Sequence, residues 1–346
     1  MHQPKVAVVI IHWNRKNLLE QFLPFLVKST YTNLEIVVAD NNSDDDSIAL
    51  VQTNYPNITI VKNDDNYGYA GGYNHALKHV TADYFVLLNN DIEVTPNWIE
   101  PVIEAMEKDK NIAAAQPKML DYNKRNKFEY AGAGGGYIDV LGYAFCRGRI
   151  FDFLEEDHNQ YNDTHAAFWA TGACMFVRAN VFKKLHGFDE HFFAHMEEID
   201  LCWRMQLDGH SLVTVPQSVV YHVGGGTLNK QSPQKTYLNF RNNLIMLTKN
   251  LPVSTLIWLI PVRSTLDLLS SIFFIMNGLP KYSLAIHKAH SDYFFKFRKW
   301  WKLRKINTTF KPFNQLHGVY MGSIVADHFI KKVKYFSELQ RNKFTN

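Results

Sequence analysis

Cysteine is nearly absent. The 346-residue chain holds three, Cys146, Cys174 and Cys202, an odd count without a CxxC pair. That excludes a disulfide framework and a cysteine-based zinc site, and it makes the reducing cytoplasm the simplest home. A signal-peptide core is missing too, because only six apolar residues, Val6 to Ile11, precede His12. Net charge is +4, too small to argue for a nucleic-acid partner. A long uninterrupted apolar run is also lacking, since Arg263 and Asp267 break the stretch from Leu251 to Met276.

What is present reads as a globular chain, with 46% hydrophobic and 20% charged residues. The length suits one large domain, or a catalytic domain with an appendage. Four apolar runs stand out, and each ends in a polar cluster. Lys5–Ile11 leads into His12-Trp13-Asn14-Arg15, and Leu34–Ala39 into Asp40-Asn41-Asn42-Ser43. Ile58–Val61 leads into Asn63-Asp64-Asp65-Asn66, and Phe85–Leu88 into Asn89-Asn90-Asp91. Short bounded apolar runs predict buried strands. Between them, Leu18 to Leu26 recurs at helical spacing, with Pro24 expected to kink or shorten the helix. Ser47–Val51 is a short helix capped by Asp45 or Asp46; Gly68, Gly71 and Gly72 open another, and a further one runs from Pro96 to Lys108. Strands and helices alternating through such short connections predict an α/β fold. Its parallel sheet is covered on both faces, with the polar clusters gathered along its carboxyl edge.

Beyond Ile112 the rhythm changes. Residues 122–165 are polar and glycine-rich and predict hairpins and loops around a substrate pocket. A strand at Ala173–Arg178, a short helix at Asn180–Leu185 and a helix at Glu197–Leu207 follow. Glu197 and Glu198 sit in that helix's first turn, where the macrodipole favours anions, and Asp200 is spaced to pair with Arg204 on its surface. Leu212–Val215 and Ser218–Tyr221 predict two strands, and His222 precedes Gly224-Gly225-Gly226; a helix then covers Gln234–Lys249.

The expected rim therefore collects Asp40, Asn66, Asn89, Asn90, Asp91, Glu197, Glu198 and His222. A carboxylate and an imidazole suit Mg²⁺ or Mn²⁺ with phosphate oxygens completing the shell. Glycines near Gly68 would let helix amides approach a pyrophosphate, and Glu198 would serve as general base.

Six stretches in this order carry a resemblance: VAVVIIHWNRKN, EIVVADNNSDDDS, NYGYAGGYNHAL, YFVLLNNDIEV, ATGACMFVRANVFKKLHGFDEHFFAHMEEIDLCWR and VVYHVGGGT. Over roughly residues 5–250 the chain resembles a family-2, inverting glycosyltransferase of the GT-A fold, near its rhamnosyltransferase-like branch. The resemblance implies a Rossmann-like, mixed but mainly parallel sheet flanked by helices, with a C-terminal helical extension. It places His12, Trp13 and Asn14 against the nucleotide base and Asp40 against base or ribose. Asn66, Gly68 and Gly72 lie along the nucleotide and its phosphates. Asn89-Asn90-Asp91 takes the DxD position with Asp91 as metal ligand, His222 joins the metal, and Glu197-Glu198 takes the Glu-Asp position. Asn89 replaces the first acid of DxD and Glu198 replaces Asp, so the base stays open between Glu197 and Glu198. The implied partners are a nucleotide-sugar donor, dTDP-rhamnose or a UDP-hexose, and a cell-envelope glycan or lipid-linked acceptor. A sugar nucleotidyltransferase and an inactive GT-A scaffold are the rivals. The first would want a glycine- and Lys/Arg-rich loop where His12-Trp13-Asn14-Arg15 stands. A processive synthase would want a QxxRW stretch, which the sequence lacks.

Residues 251–346 are expected to form the helical extension, with 1–250 as the nucleotide-sugar domain. Arg263, Asp267, Ser270, Ser271 and Asn277 fall on one helical stripe. That favours an amphipathic helix on a bilayer, or packed on the domain, over a span. Tyr293, Phe294, Phe295, Phe297, Trp300 and Trp301 interleave with Lys296, Arg298, Lys299 and Lys302. The composition suits an anionic membrane surface, making the protein peripheral on the cytoplasmic face. A helical interface with a second copy, or a lid, is the alternative for the same segment.

Overall fold

The computed structural model describes residues 3–224 and 232–345. Strands β1 (Val6–His12), β2 (Leu34–Asp40), β3 (Thr59–Lys62) and β4 (Tyr84–Asn89) are parallel. Their register puts His12 opposite Asp40, Ile11 opposite Asn89 and Asp40 opposite Lys62, so the polar strand ends share one edge. Alternation along each strand builds two cores. Ala7, Val9, Val37, Phe85 and Leu87 face a core with Tyr73 and Ala76 of the helix Gly68–Ala76. Val6, Val8, Val38, Val86 and Leu88 face the opposite one, with helices Lys16–Leu26 and Glu100–Lys108. Burial on both faces is why these strands read as unbroken apolar runs.

The sheet as a whole is mixed, as expected for the GT-A class. Across it the order is His165–Ala166, Ser211–His222, β6 (Ile112–Asp121), Cys174–Arg178, β4, β1, β2, β3; β5 (Ile92–Val94) pairs with the end of Ser211–His222. Cys174–Arg178 runs antiparallel to β4, and His222 is registered against Ile92. This second half of the sheet returns His222 to the residues following β4. The region 122–165 contributes the strands Gly136–Asp139, Ala144–Cys146, Arg149–Ile150 and Phe153–Leu154 of a smaller five-stranded sheet.

Several local expectations are corrected. The helix Lys16–Leu26 runs through Pro24 without ending there; four buried leucines and Phe22 hold it against the sheet, outweighing one missing hydrogen bond. The helix expected from Pro96 begins at Glu100, with Pro101 in its first turn, where no donor is lost. Between Asp45 and Asp46, it is Asp45 that accepts from the amides of Ser47 and Lys16, each at 3.0 Å. The two strands expected around Pro216 are one, Ser211–His222, whose register slips between Val215 and Val219; a proline with no N–H demands such an irregularity. Asp200 and Arg204 do not pair on the surface. Their 2.8 Å bond is fully buried, and Lys249 Nζ and Asn250 Nδ2 also donate to Asp200 at 2.8 Å. The helix Glu197–Leu207 is thus sandwiched between the sheet and the helix Pro233–Asn250.

Past Asn250, the helices Val253–Met276, Pro280–Phe295 and Phe297–Lys302 follow. Val253–Met276 is long and apolar enough to cross a membrane by length and composition. Yet its Arg263, Asp267 and Ser271 are buried. Arg263 donates to the Leu141 carbonyl at 2.9 Å, His290 Nε2 lies 3.0 Å from Asp267 Oδ2, and Ser271 Oγ lies 2.6 Å from Ser283 Oγ. This C-terminal helical region is tied back to the domain: Val319–Tyr320 pairs in parallel with Gly136–Asp139, and Phe313, Leu316 and Val319 join the main core.

Candidate active site

Three walls enclose a cleft of about 320 Å³ at the carboxyl edge of the sheet. The first is built from strand ends. Asn90, just past β4, donates its amide to His12 Nδ1 at 2.9 Å. The amide donating fixes the His12 tautomer with its proton on Nε2, and Nε2 is buried with no partner among the described residues. Burial lowers the His12 pKa against the pull of Asp40 and Asp45, so a neutral donor points into the wall. Trp13, 45% exposed, stands at the mouth. Asn14 and Asp40 lie a layer behind the lining. Asn14 Oδ1 accepts from the Asp44 amide at 3.0 Å, and Asp40 Oδ1 from the Ser43 amide at 3.1 Å. Asp40 Oδ2 is buried without a partner among the described residues.

The second wall is Asn41, Asn66 and Gly68. Gly68 has φ +69°, and a Cβ there would meet the Phe193 ring and carbonyl at 2.7 Å, so only glycine fits. The helix amides behind it do not await a pyrophosphate as expected: Tyr69 N and Ala70 N donate to the Phe193 carbonyl at 3.0 and 3.3 Å. Gly72 is buried off the cleft, where a Cβ would strike the Asn41 amide and Ile11 at 2.6 Å. These glycines let one chain segment pack against another.

The third wall carries the acids. Phe193, His195 and Met196 all have φ between 63° and 74°, a left-handed turn that launches the helix Glu197–Leu207. Asn242 holds that turn, its Nδ2 donating to the carbonyls of Phe192, Ala194 and His195 at 3.0, 2.9 and 2.7 Å. Glu197 and Glu198 project into the cleft, and the Oε2 of each is buried without a partner among the described residues. Burial pushes Glu198 up to about 7, against the backbone amides of its own turn. Burial, then the charge of Glu198, pushes Glu197 well above the carboxylate range. His195 also lines the cleft; burial, then Lys235, lowers it to about 4, leaving a neutral ring.

Across from the acids, Asp91 Oδ1 lies 3.1 Å from His222 Nε2, and both line the cleft. Glu129 Oε1 stands 3.2 Å from His222 Nδ1, while its Oε2 accepts from the Ala131 amide at 2.5 Å. Burial alone would lower His222; Glu129 and Asp91 outweigh it and lift the ring to about 10. Among the described residues no group of three or more His, Cys, Asp or Glu is placed to hold a metal. Asp91 and His222 set a carboxylate oxygen and a ring nitrogen side by side on the cleft wall, and a cation bound there would displace the Nε2 proton that the raised pKa keeps on the ring. Such a pair fits a cation drawing its other ligands from diphosphate oxygens and water. Gly225 and Gly226 lie outside the described residues.

The cleft thus brings together His12, Trp13, Asn66, Gly68, Asn89, Asn90, Asp91, Glu197, Glu198 and His222, and leaves Asn14, Asp40 and Gly72 outside its lining. Sequence reasoning missed Glu129, Asn41, Tyr69, Gly172 and Lys235. Tyr69 donates its hydroxyl to the Gly172 carbonyl, and a Cβ on Gly172 would meet that hydroxyl at 2.7 Å and Glu198 Cβ at 3.6 Å. Nothing in the local pattern marks Glu129 as backing His222 or Lys235 as lining the cleft.

A sheet of this topology, with an acid at the end of β4 facing paired acids at a helix start, defines a GT-A glycosyltransferase. The profile of the family described as Glycosyl transferase family 2 matches residues 7–185, and the chain belongs to that family. It is 25% identical over 233 residues to N-acetylglucosaminyl-diphospho-decaprenol L-rhamnosyltransferase of Mycobacterium tuberculosis, covering 63% of this chain and 75% of that one. Among solved structures it resembles GalNAc-T7 with UDP, GalNAc and Mn²⁺, at TM-score 0.56 and 16% identity, over 72% of this chain and 48% of that one. It also resembles the mannosyltransferase PcManGT of Pyrobaculum calidifontis with GDP-Man and Mn²⁺, at TM-score 0.51 and 16% identity, over 88% and 85% of the two chains. At these identities the solved structures speak to the fold.

Proposed function

We propose that residues 1–250 transfer a sugar from a nucleotide-sugar to a hydroxyl of a cell-envelope glycan or lipid-linked acceptor, with inversion and with Mg²⁺ or Mn²⁺. The observation that carries the reading is the convergence of Asp91, His222 and Glu198 on one cleft. Glu198, with its pKa at about 7, is poised to take a proton from an acceptor hydroxyl at neutral pH. Its partner Glu197 is pushed the same way by burial and then by the charge of Glu198, which disfavours a second negative charge beside the base. The freed oxygen then attacks the anomeric carbon from the face opposite the nucleotide. His12 and Trp13 hold the base, with Asp40 shaping the wall behind, and Asn89 and Asn90 border the donor sugar. Asp91 and His222 would hold the cation, which when bound neutralises charge on the diphosphate leaving group.

A relative named for rhamnosyl transfer to a decaprenol-linked acceptor favours dTDP-rhamnose, with UDP-hexoses next, and a lipid-linked acceptor. Such an acceptor fits an enzyme on the cytoplasmic face of the membrane, and the outward apolar face of Val253–Met276 supports a peripheral attachment. Calorimetric titration with UDP, dTDP and GDP, with and without Mn²⁺, tests donor and metal together. Turnover of a donor panel tests catalysis; a protein that binds nucleotide but neither transfers nor hydrolyses any donor would be the inactive scaffold.

A further inference from the structure

The helix Val253–Met276 is built inside out relative to a soluble surface helix. Its polar stripe, Arg263, Asp267 and Ser271, is turned inward and bonds Leu141, His290 and Ser283. Its apolar side faces out: Ile257 is 72% exposed, Phe273 58% and Met276 80%. The next helix adds Leu284 and Phe295 to the same exposed class. A contiguous apolar surface of this kind is costly in water and marks a contact with something apolar.

Within this surface lies a groove of about 730 Å³ between Val253–Met276 and the segment Tyr293–Lys302. Leu256, Ile257, Ile260, Phe294, Phe297 and Trp301 line it. The two hydroxyls on its floor, Thr248 and Tyr293, bond each other at 2.6 Å and leave no polar demand. Its rim is cationic. Arg298 and Lys302, four residues apart, are both exposed. No acidic residue occurs between Asp292 and Asp327 to neutralise them.

We propose that this groove binds one acyl chain of an anionic phospholipid, with the lipid phosphate held between Arg298 and Lys302. An apolar trough with a cationic lip matches an amphiphile that has a negative head and an apolar tail. A second copy of the chain is a poor occupant, because a two-fold contact would set one cationic rim against the other. The site is distinct from the sugar cleft. Lys235 lines the cleft and Thr248 the groove, on one helix, which sets them about 20 Å apart along its axis. The inference rests on the peripheral-membrane reading and names the lipid that serves it.

Flotation with phosphatidylglycerol and phosphatidylcholine vesicles, together with tryptophan quenching by the same lipids brominated along the acyl chains, tests it. The full chain is expected to float with phosphatidylglycerol and not with phosphatidylcholine. Chain-brominated phosphatidylglycerol is expected to quench wild type more than Trp301→Phe, the difference reporting Trp301 in its groove. Arg298→Glu with Lys302→Glu is expected to weaken vesicle binding at least ~20-fold, and Ile257→Glu, at an exposed position, to remove the Trp301 quenching. Nucleotide affinity by calorimetry should be unchanged in these variants, showing that the fold and sugar cleft are intact. Flotation without Trp301 quenching overturns the groove and leaves the membrane reading standing. Equal binding to phosphatidylcholine, or no effect of the double reversal, overturns the phosphate assignment. No flotation of the wild type overturns groove and membrane reading together, while nucleotide binding reports separately on the glycosyltransferase reading.

Discussion

Asp91 and His222 are 131 residues apart in sequence, and their side chains meet at 3.1 Å. The contact exists because Ser211–His222 ends beside β5, which immediately follows Asp91. Sheet register therefore sets the spacing of the two donors to within the pleat of one strand.

Glu198→Gln is expected to lose at least ~10²–10⁴-fold in turnover while nucleotide affinity by calorimetry stays close to wild type. Glu197→Gln should cost less, because burial and the neighbouring Glu198 already disfavour the charged form there. A larger loss in Glu197→Gln than in Glu198→Gln would exchange the two assignments.

The rate should depend on pH through Glu198. With its pKa at about 7, turnover rises as pH climbs through that value and then levels. Stability should move the opposite way. An unfolded glutamate titrates near 4.5, so the folded protein retains protons that the unfolded chain releases. The stabilisation is fully present below about 4.5 and is lost as pH rises to about 7 through Glu198, with Glu197 raised in the same direction. Thermal melts of nucleotide-free protein should show a falling Tm from pH 5 to pH 8, and the Glu198→Gln variant should flatten the trend.

Glu129 holds the far side of the His222 ring at 3.2 Å. Carboxylates behind a ligating histidine orient it and raise its basicity. Glu129→Gln is expected to weaken Mn²⁺ binding about 10–100-fold, read by Mn²⁺ electron paramagnetic resonance in the presence of nucleotide. An unchanged Mn²⁺ affinity would show that His222 needs no support from Glu129.

Asn242 satisfies three carbonyls of the turn before Glu197 with one amide. Asn242→Ala is expected to destabilise by about 1–3 kcal/mol in urea unfolding, as buried carbonyls lose their donor. Turnover should fall more than nucleotide affinity, since the turn aims the acids while His12 and Trp13 hold the base from another wall. Asn242→Asp supplies oxygens where donors are required and should not rescue.

The doubly covered parallel half of the sheet was legible because four apolar runs, each ending in a polar cluster, are a local and periodic signal. The same signal located His12, Asn89, Asn90 and Asp91 at one rim, since a carboxyl-end loop can only lie at that edge. Asp40 also ends its strand there, but its side chain is not among the cleft lining, and its Oδ1 is taken by the Ser43 amide. Side-chain aim at a strand end depends on what packs above it, and no spacing records that.

What the sequence alone determined was the order of elements, the family and the residue types at the catalytic edge, all carried by contacts between near neighbours and by recurring motifs. Tertiary structure decided the rest. It buried Asp200 with Arg204 and Lys249, brought Glu129 behind His222, closed the Gly68 helix end with the Phe193 carbonyl, and turned the polar stripe of Val253–Met276 inward. Each of these joins segments far apart in the chain, where burial and desolvation set the outcome, and a local pattern contains neither.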